Sequence, residues 1–224
     1  MMPFPGDIEA ASNGTLVLSA VAAALYLTIV RRPPSYRRTA VKTASVALLG
    51  VLVLVAGGPT LLAAALVLSA LGDLFLAEDG DRAFVSGLAA FLSAHLVYVA
   101  LFGMAGGGGE AIAAEPVRLA GAVIILLFAA GMFHRLRPAL PRHLVLPVGL
   151  YVAAIMAMGL TAVTLPSLAV IAGAVLFIVS DAVLAAGRFL IPAGSPRQAL
   201  VAPAVWVFYY VAQVAITLGF LLDR

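Results

Sequence analysis

The sequence has no cysteine among its 224 residues, a single tryptophan, and only 10% charged residues. The lack of cysteine excludes a secreted scaffold held together by disulfides. The shortage of charge excludes a disordered chain, and it excludes an ordinary soluble domain, in which charged residues make up about 25%. The chain is therefore expected to fold in an apolar environment.

Hydrophobic residues make up 64% of the sequence, and the mean hydropathy is +1.15. A window of about 19 residues, close to the length that crosses a bilayer, picks out a series of apolar spans. The eight spans cover approximately 14–30, 41–56, 60–77, 83–103, 117–133, 144–164, 167–186 and 201–222. We predict an all-α integral membrane protein with eight transmembrane helices, forming a single polytopic domain over residues 1–224.

The first two spans differ from the others in their flanking residues and in their length. The first is predicted to be a retained helix and not a cleaved signal peptide, because Asp7 and Glu9 precede it and basic residues follow it. The second is short and ends at Gly57-Gly58-Pro59, so the sequence leaves open whether it is a full-length helix.

The distribution of Lys and Arg predicts the orientation in the membrane. Eleven of them fall in loops 31–42, 78–83, 134–143 and 187–200, whereas the opposite side carries only Arg118 and Arg224. By the positive-inside rule, both termini are extracytoplasmic in the cell (inner) membrane. The net charge of +3 therefore reflects topology and contact with lipid headgroups, and a nucleic-acid partner is not expected.

An internal sequence similarity suggests that the chain has two related halves. The segment GDLFLA at 72–77 resembles SDAVLA at 180–185, and the two aspartates, Asp73 and Asp181, lie four spans apart. Because a separation of four spans is even, two four-helix halves, 14–103 and 117–222, would have the same orientation, as in a parallel repeat.

The two aspartates are the residues most indicative of function. A carboxylate at the bilayer centre costs about 2.5–3.5 kcal/mol on insertion scales, so Asp73 and Asp181 are expected to face the bundle interior. Both lie near the predicted cytoplasmic ends of their spans, ~6 Å below the boundary, which is the depth of a phospholipid's glycerol. The alternative is a structural role, with hydrogen bonds from Ser69, Ser180 or loop arginines.

Other polar side chains follow helical spacing. Phe84, Gly87, Phe91, His95, Tyr98 and Phe102 form one stripe, and Trp206, Tyr210, Gln213 and Thr217 form another, with Tyr209 at its edge. His95 lies ~18 Å along its helix from Ala83, a depth that favours pocket lining over contact with the acids. Lys42 opens the second span, where it can meet a phosphate or serve as an interfacial anchor.

Motifs for other chemistries are missing. Gly106 to Gly109 lack the Lys-Ser/Thr of a phosphate-binding loop and are predicted to be a flexible connection. His134 and His143 do not have the spacing of a helical zinc motif. No nucleophile elbow is found, and no metal or organic cofactor is expected.

Taken together, these motifs resemble the YhhN family of membrane lysoplasmalogenases. The resemblance runs from about Lys42 to Gly219, and its motifs are Gly72-Asp73-x-x-Leu76, Gly87-x-x-x-Phe91-x-x-x-His95-x-x-Tyr98, Tyr151, Phe177-x-x-Ser180-Asp181-x-x-Leu184 and Tyr209-Tyr210-x-Ala212-Gln213. It implies an eight-helix hydrolase that cleaves the vinyl ether bond of lysoplasmalogens to a fatty aldehyde and a glycerophospho-ethanolamine or glycerophospho-choline. The implied catalytic residues are Asp73 and Asp181, and the implied substrate-binding residues are Lys42, His95, Tyr98, Tyr151, Ser180, Tyr210 and Gln213.

The chemistry of the bond agrees with two acids. Hydrolysis of a vinyl ether begins with protonation of an alkene carbon, and water then captures the resulting oxocarbenium ion. One group must donate a proton and another must accept one, and two neighbouring carboxylates divide these roles because both do not ionise easily together. The sequence does not say which of Asp73 and Asp181 is the acid.

Two other functions fit the same residues. Intramembrane acids in a parallel repeat also serve proton-coupled transporters and lipid carriers. A purely structural membrane protein would use Asp73 and Asp181 to hold helices together. The expected partners in the main interpretation are the bilayer and a lysophospholipid, with the site opening toward the cytoplasm; the physiological lipid and the oligomeric state stay open.

Overall fold

The computed structural model describes residues 2–223, which form nine α-helices, one 3-10 helix and no strand. The helices are α1 (Ala11–Ile29), α2 (Tyr36–Val55), α3 (Thr60–Leu76), α4 (Asp81–Ala105), α5 (Gly108–Ala114), α6 (Pro116–Leu136), α7 (Arg142–Ala162), α8 (Leu168–Phe189) and α9 (Gln198–Leu222), with the 3-10 helix Arg137–Ala139 after α6. Arg224, which was counted on the extracytoplasmic side, lies outside the described residues.

Every helix except the short α5 corresponds to one predicted span. Within residues 2–223, seven helices are long and apolar enough to cross a membrane, and α3, with 17 residues, is a shorter apolar helix. Large apolar side chains point outward, including Leu127, which is 68% exposed, and Ile124, which is 65% exposed. Such a surface suits lipid and not water. The prediction of an all-α integral membrane protein is confirmed, and the seven long helices together with the shorter α3 agree with the predicted count of eight.

The second span is a full-length helix. α2 has 20 residues because it begins at Tyr36, five residues before the predicted start. Ser35 caps its N-terminus, where its side chain accepts a hydrogen bond from the backbone N–H of Arg38. As a result, Arg38 lies on the first turn of a helix and not in a loop.

The glycine-rich segment is ordered, contrary to the expected flexible connection. Gly107 N–H donates to the carbonyl oxygen of Thr164 at 3.2 Å, and α5 follows from Gly108, whose φ of +60° favours glycine. The segment thus packs against the α7–α8 connection.

Small residues let the acid-bearing helices approach their neighbours closely. A Cβ added to Gly72 on α3 would lie 2.5 Å from the Phe91 ring on α4, and one added to Gly173 on α8 would lie 2.7 Å from Ile216 on α9. Close approach at small residues is a principal means of packing helices in lipid. It holds α3 against α4 and α8 against α9, so both acids are enclosed by neighbouring helices.

Candidate active site

A polar cavity of about 430 Å³ lies at the end of the bundle that carries the basic loops. Asp73 of α3 and Asp181 of α8 both line it, and so do the exposed residues Glu78, Asp79 and Gly80 at its rim. The two acids that the sequence placed in separate halves therefore share one space. This agrees with the prediction that both face the bundle interior.

Asp73 is buried and held by donors. Lys42 Nζ of α2 lies 3.2 Å from its Oδ1, and the Tyr209 hydroxyl of α9 donates to its Oδ2 at 2.8 Å. Lys42 Nζ also donates to the backbone oxygen of Asp73 at 3.4 Å. A cation and a hydroxyl donor together satisfy a carboxylate that has lost contact with water.

Asp181 has a different set of neighbours. The Tyr151 hydroxyl of α7 donates to its Oδ2 at 2.7 Å, and His95 Nε2 of α4 lies 3.6 Å from the same oxygen. No Lys or Arg forms an ion pair with Asp181 within residues 2–223. The two acids therefore differ in the charge beside them.

The tautomer of His95 follows from its backbone contact. His95 Nδ1 lies 2.6 Å from the Phe91 carbonyl oxygen, and since a carbonyl can only accept, Nδ1 carries the hydrogen. In the neutral ring, Nε2 is then an acceptor. Nε2 is buried and has no hydrogen-bond partner among the described residues, although Asp181 is its neighbour.

A second, apolar cavity of about 70 Å³ adjoins the first, and both are lined by Asp181, Leu76, Phe84, Phe91 and Leu184. Tyr151 also lines the apolar cavity. Phe128 of α6 is one of its lining residues and is 44% exposed, so the cavity reaches the lipid-facing surface. Asp181 thus lies at the junction of a polar and an apolar space.

The structure brings together some of the residues that the sequence singled out. Lys42 and Ser180 line the polar cavity, with the Ser180 hydroxyl bonded to the carbonyl oxygen of Val205. Tyr98 and Gln213 form a buried pair, in which the Tyr98 hydroxyl donates to Gln213 Oε1 at 2.6 Å. Neither of these two lines either cavity.

Tyr210 lies elsewhere. Its hydroxyl is 2.8 Å from Ser19 Oγ of α1, which donates in turn to the Ser45 carbonyl oxygen, and it is absent from the lining of the polar cavity. Its neighbour Tyr209 takes the place against Asp73. The sequence could not separate them, because Trp206, Tyr209 and Gln213 follow helical spacing as well as Trp206, Tyr210 and Gln213 do.

One expectation about position is wrong, and one contact that the structural alternative would use is not made. His95 contacts Asp181 despite its depth, because α8 continues to Phe189 and so places Asp181 eight residues, ~12 Å, from the helix end. Ser69 does not bond Asp73: its hydroxyl has no hydrogen-bond partner within residues 2–223. Tyr209 and Lys42 supply the contacts to Asp73 instead.

Metal chemistry has no obvious ligand set here. In the part of the chain that the structure describes, no cluster of three or more His, Asp or Glu side chains is arranged to hold a metal ion. The chemistry available at the site is that of two carboxyl groups, an ammonium, an imidazole and two phenols.

The fold and the site define a polytopic membrane protein with two acids that line one polar cavity, beside a second, apolar cavity. The model of the YhhN family matches residues 37–220, and the chain belongs to that family. It is 38% identical over 165 residues to a protein of Mycobacterium bovis named lysoplasmalogenase. It is 31% identical over 164 residues to lysoplasmalogenase TMEM86A of Bos taurus, and 38% identical over 165 residues to human lysoplasmalogenase TMEM86B.

These alignments cover more of this chain than of the relatives. They span 71% of the chain and 60% of the mycobacterial protein, 69% and 62% for the bovine protein, and 73% and 65% for the human protein. No solved structure matches the chain.

Proposed function

We propose that this protein hydrolyses the vinyl ether bond of a lysoplasmalogen, as the names of its relatives suggest. The observation that carries the proposal is the position of Asp181 at the junction of the polar and apolar cavities. In a lysoplasmalogen, the vinyl ether joins the hydrocarbon chain to the glycerol. A molecule that spans the two cavities would therefore present its vinyl ether to Asp181.

The shapes of the two cavities suit an amphiphile with one chain. The polar cavity is lined by charged groups, including Arg38 and Arg188, whereas the apolar cavity is lined almost wholly by hydrocarbon. The volume of the apolar cavity, about 70 Å³, is far smaller than that of a typical ligand pocket, which is about 300–1,000 Å³. The chain of the lipid would extend past Phe128 into the bilayer, without needing a closed pocket.

The neighbours of the two acids support a division of roles between them. Asp73 has Lys42 at 3.2 Å and a hydroxyl donor, an arrangement that suits an ionised carboxylate and therefore a proton acceptor. No Lys or Arg forms an ion pair with Asp181 among the described residues, which suits a carboxyl group that carries a proton. Asp181 is the proton donor in this scheme, and both of its contacts fall on Oδ2, which leaves Oδ1 for the substrate.

The reaction then runs in three balanced steps. Asp181 protonates the alkene carbon farther from the ether oxygen, and the positive charge of the oxocarbenium ion lies beside the resulting carboxylate. Asp73 takes a proton from the water that attacks the oxocarbenium carbon, and a hemiacetal forms. The hemiacetal releases the aldehyde as its hydroxyl proton passes to Asp181, which replaces the proton given to the alkene carbon, and Asp73 protonates the departing glycerol oxygen. Acid and base catalysis of this type contributes about 10²–10⁴ in rate.

The position of the polar cavity also fits an orientation of the protein in which this cavity opens toward the cytoplasm. The polar cavity opens at the end where Arg31, Arg32 and Arg188 lie, and such basic loops remain on the cytoplasmic side of a cell membrane. Lipid would then enter from the inner leaflet.

The test is product analysis with lysolipids that differ at the first glycerol carbon only. Purified protein in detergent is mixed with the 1-alkenyl, 1-alkyl and 1-acyl forms of one lysophospholipid, and products are identified by mass spectrometry. We expect a fatty aldehyde from the alkenyl lipid and no cleavage of the alkyl lipid, which has no alkene to protonate. Absence of aldehyde would overturn the proposal, and flux of lipid across liposomes without any product would favour a carrier instead.

A further inference from the structure

Three basic side chains line the polar cavity, and two of them already have anionic partners. Lys42 pairs with Asp73 at 3.2 Å, and Arg188 pairs with Asp81 at 2.7 Å. Arg38 forms no ion pair with any carboxylate within residues 2–223. It is the basic group of the cavity that remains available for an anion.

One hydrogen bond fixes the position of Arg38, but its other N–H donors are not all paired. Its Nη1 donates to the Ala77 carbonyl oxygen at the end of α3, at 2.8 Å, which anchors the guanidinium beside the cavity. Its Nε is buried and has no hydrogen-bond partner among the described residues. A guanidinium has five N–H donors, and a buried donor without a partner is costly. Arginine is also the side chain best suited to the oxygens of a phosphate.

The position of Arg38 matches the geometry of a lysolipid. It precedes Lys42 by one turn on α2, ~6 Å nearer the start of the helix and so nearer the rim of the cavity. In a lysophospholipid, the three carbons of glycerol separate the ether oxygen from the phosphate ester. With the ether at Asp181, the phosphate would lie toward the rim, on the side of Arg38.

The rim beyond Arg38 is acidic. Glu78 and Asp79 line the cavity and are exposed, and neither forms an ion pair within the described part of the chain. Glu78 accepts a hydrogen bond from the Thr39 hydroxyl at 3.3 Å, which places it beside the first turn of α2. These carboxylates attract a cation and repel a second negative charge.

We propose that Arg38 binds the phosphodiester of a zwitterionic lysolipid headgroup, and that Glu78 and Asp79 favour its terminal ammonium group. The identity of the ligand rests on the proposed function, but binding does not require turnover. A 1-alkyl lysophosphoethanolamine, which has no vinyl ether to cleave, can therefore report on the headgroup site alone.

The chain contains its own probe of this site. Trp206 is its only tryptophan and lines the polar cavity, so the intrinsic fluorescence of the whole protein in detergent follows ligand binding. The titrated ligands are 1-alkyl lysophosphoethanolamine, the corresponding 1-alkyl glycerophosphate, and 1-alkylglycerol. The variants are Arg38→Gln, Arg38→Lys and the double variant Glu78→Gln/Asp79→Asn.

We expect Arg38→Gln to weaken binding of the two phosphate-bearing lipids at least tenfold and to leave binding of 1-alkylglycerol unchanged. Arg38→Lys should bind the phosphate-bearing lipids with an affinity between those of the wild type and Arg38→Gln. The matched control is Arg37→Gln, because Arg37 is the adjacent, exposed arginine and does not line the cavity. The Glu78→Gln/Asp79→Asn variant should weaken binding of the ethanolamine lipid and strengthen binding of the glycerophosphate.

Equal losses for all three ligands in Arg38→Gln would show that Arg38 only supports the fold through Ala77, and would overturn the proposal. So would equal effects of Arg37→Gln and Arg38→Gln. Headgroup-dependent binding without aldehyde release from the 1-alkenyl lipid would remove the hydrolase and keep the headgroup site. Aldehyde release without these binding differences would keep the hydrolase and overturn the headgroup site.

Discussion

Tyr209 on α9 donates a hydrogen bond to Asp73 on α3, and the two residues are 136 positions apart in sequence. The other acid has the corresponding arrangement, since His95 on α4 faces Asp181 on α8. Each aspartate is thus contacted by the last helix of the opposite half. Two halves in one orientation would exchange contacts in this way, and the division into 14–103 and 117–222 remains a prediction.

Both acids are expected to be essential for turnover. Asp73→Asn removes the proposed proton acceptor and Asp181→Asn removes the proposed proton donor, so each should lower aldehyde release by about 10²–10⁴-fold. Aldehyde formed from 1-alkenyl lysophosphoethanolamine is measured beside the thermal unfolding midpoint in detergent. An active, stable variant would remove that residue from the chemistry. If the wild-type protein releases no aldehyde and both variants are unstable, the two acids have a structural role instead.

The adjacent tyrosines of α9 form a matched pair. Tyr209→Phe removes the donor to Asp73 and should lower the rate of hydrolysis. Tyr210→Phe removes the bond to Ser19 and should lower the free energy of unfolding by about 0.5–1.5 kcal/mol while leaving the rate per folded molecule close to that of the wild type. Equal rates for the two variants would contradict the placement of Tyr209 at the site.

Lys42 should be needed for stability because it neutralises a buried carboxylate. Loss of one partner of a buried ion pair typically costs about 3–5 kcal/mol. Lys42→Met should therefore lower the unfolding midpoint strongly, and Lys42→Met/Asp73→Asn should regain part of the loss because no unpaired charge remains. Additive losses in this double-mutant cycle would mean that the two residues do not interact.

The proposed proton donor makes an isotopic prediction. In D₂O, Asp181 should place one deuterium on the aldehyde carbon next to the carbonyl, and on one face only, because a carboxyl group at the cavity junction approaches the alkene from one side. The aldehyde is reduced at once to the alcohol to prevent exchange, and its configuration is read by NMR. A racemic product would indicate that free solvent delivers the proton.

Glycine at the α3–α4 contact should be required for packing. Gly72→Ala places a Cβ 2.5 Å from the Phe91 ring and should destabilise the fold by about 1–3 kcal/mol. Gly103→Ala on α4 is the control, because no atom lies within 4 Å of an added Cβ there, and alanine should be neutral or stabilising by up to about 1 kcal/mol. Unfolding midpoints in detergent compare the two.

The sequence by itself determined the membrane environment and the eight apolar helices, because hydropathy is local and a span needs only length and few charges. It also singled out Asp73 and Asp181, because a buried acid in lipid is costly enough to need a reason. Hydropathy does not fix the helix ends, since the capping residue Ser35 starts α2 before its apolar run.

Tertiary structure alone decided what each acid touches. Tyr209 and Tyr210 differ by one position on α9, and only tertiary packing turns the first toward Asp73 of α3 and the second toward Ser19 of α1. The His95–Asp181 contact likewise depends on how far α8 and α4 are offset along their axes. Such offsets arise from side-chain packing between helices distant in sequence, and no local pattern of residues encodes them.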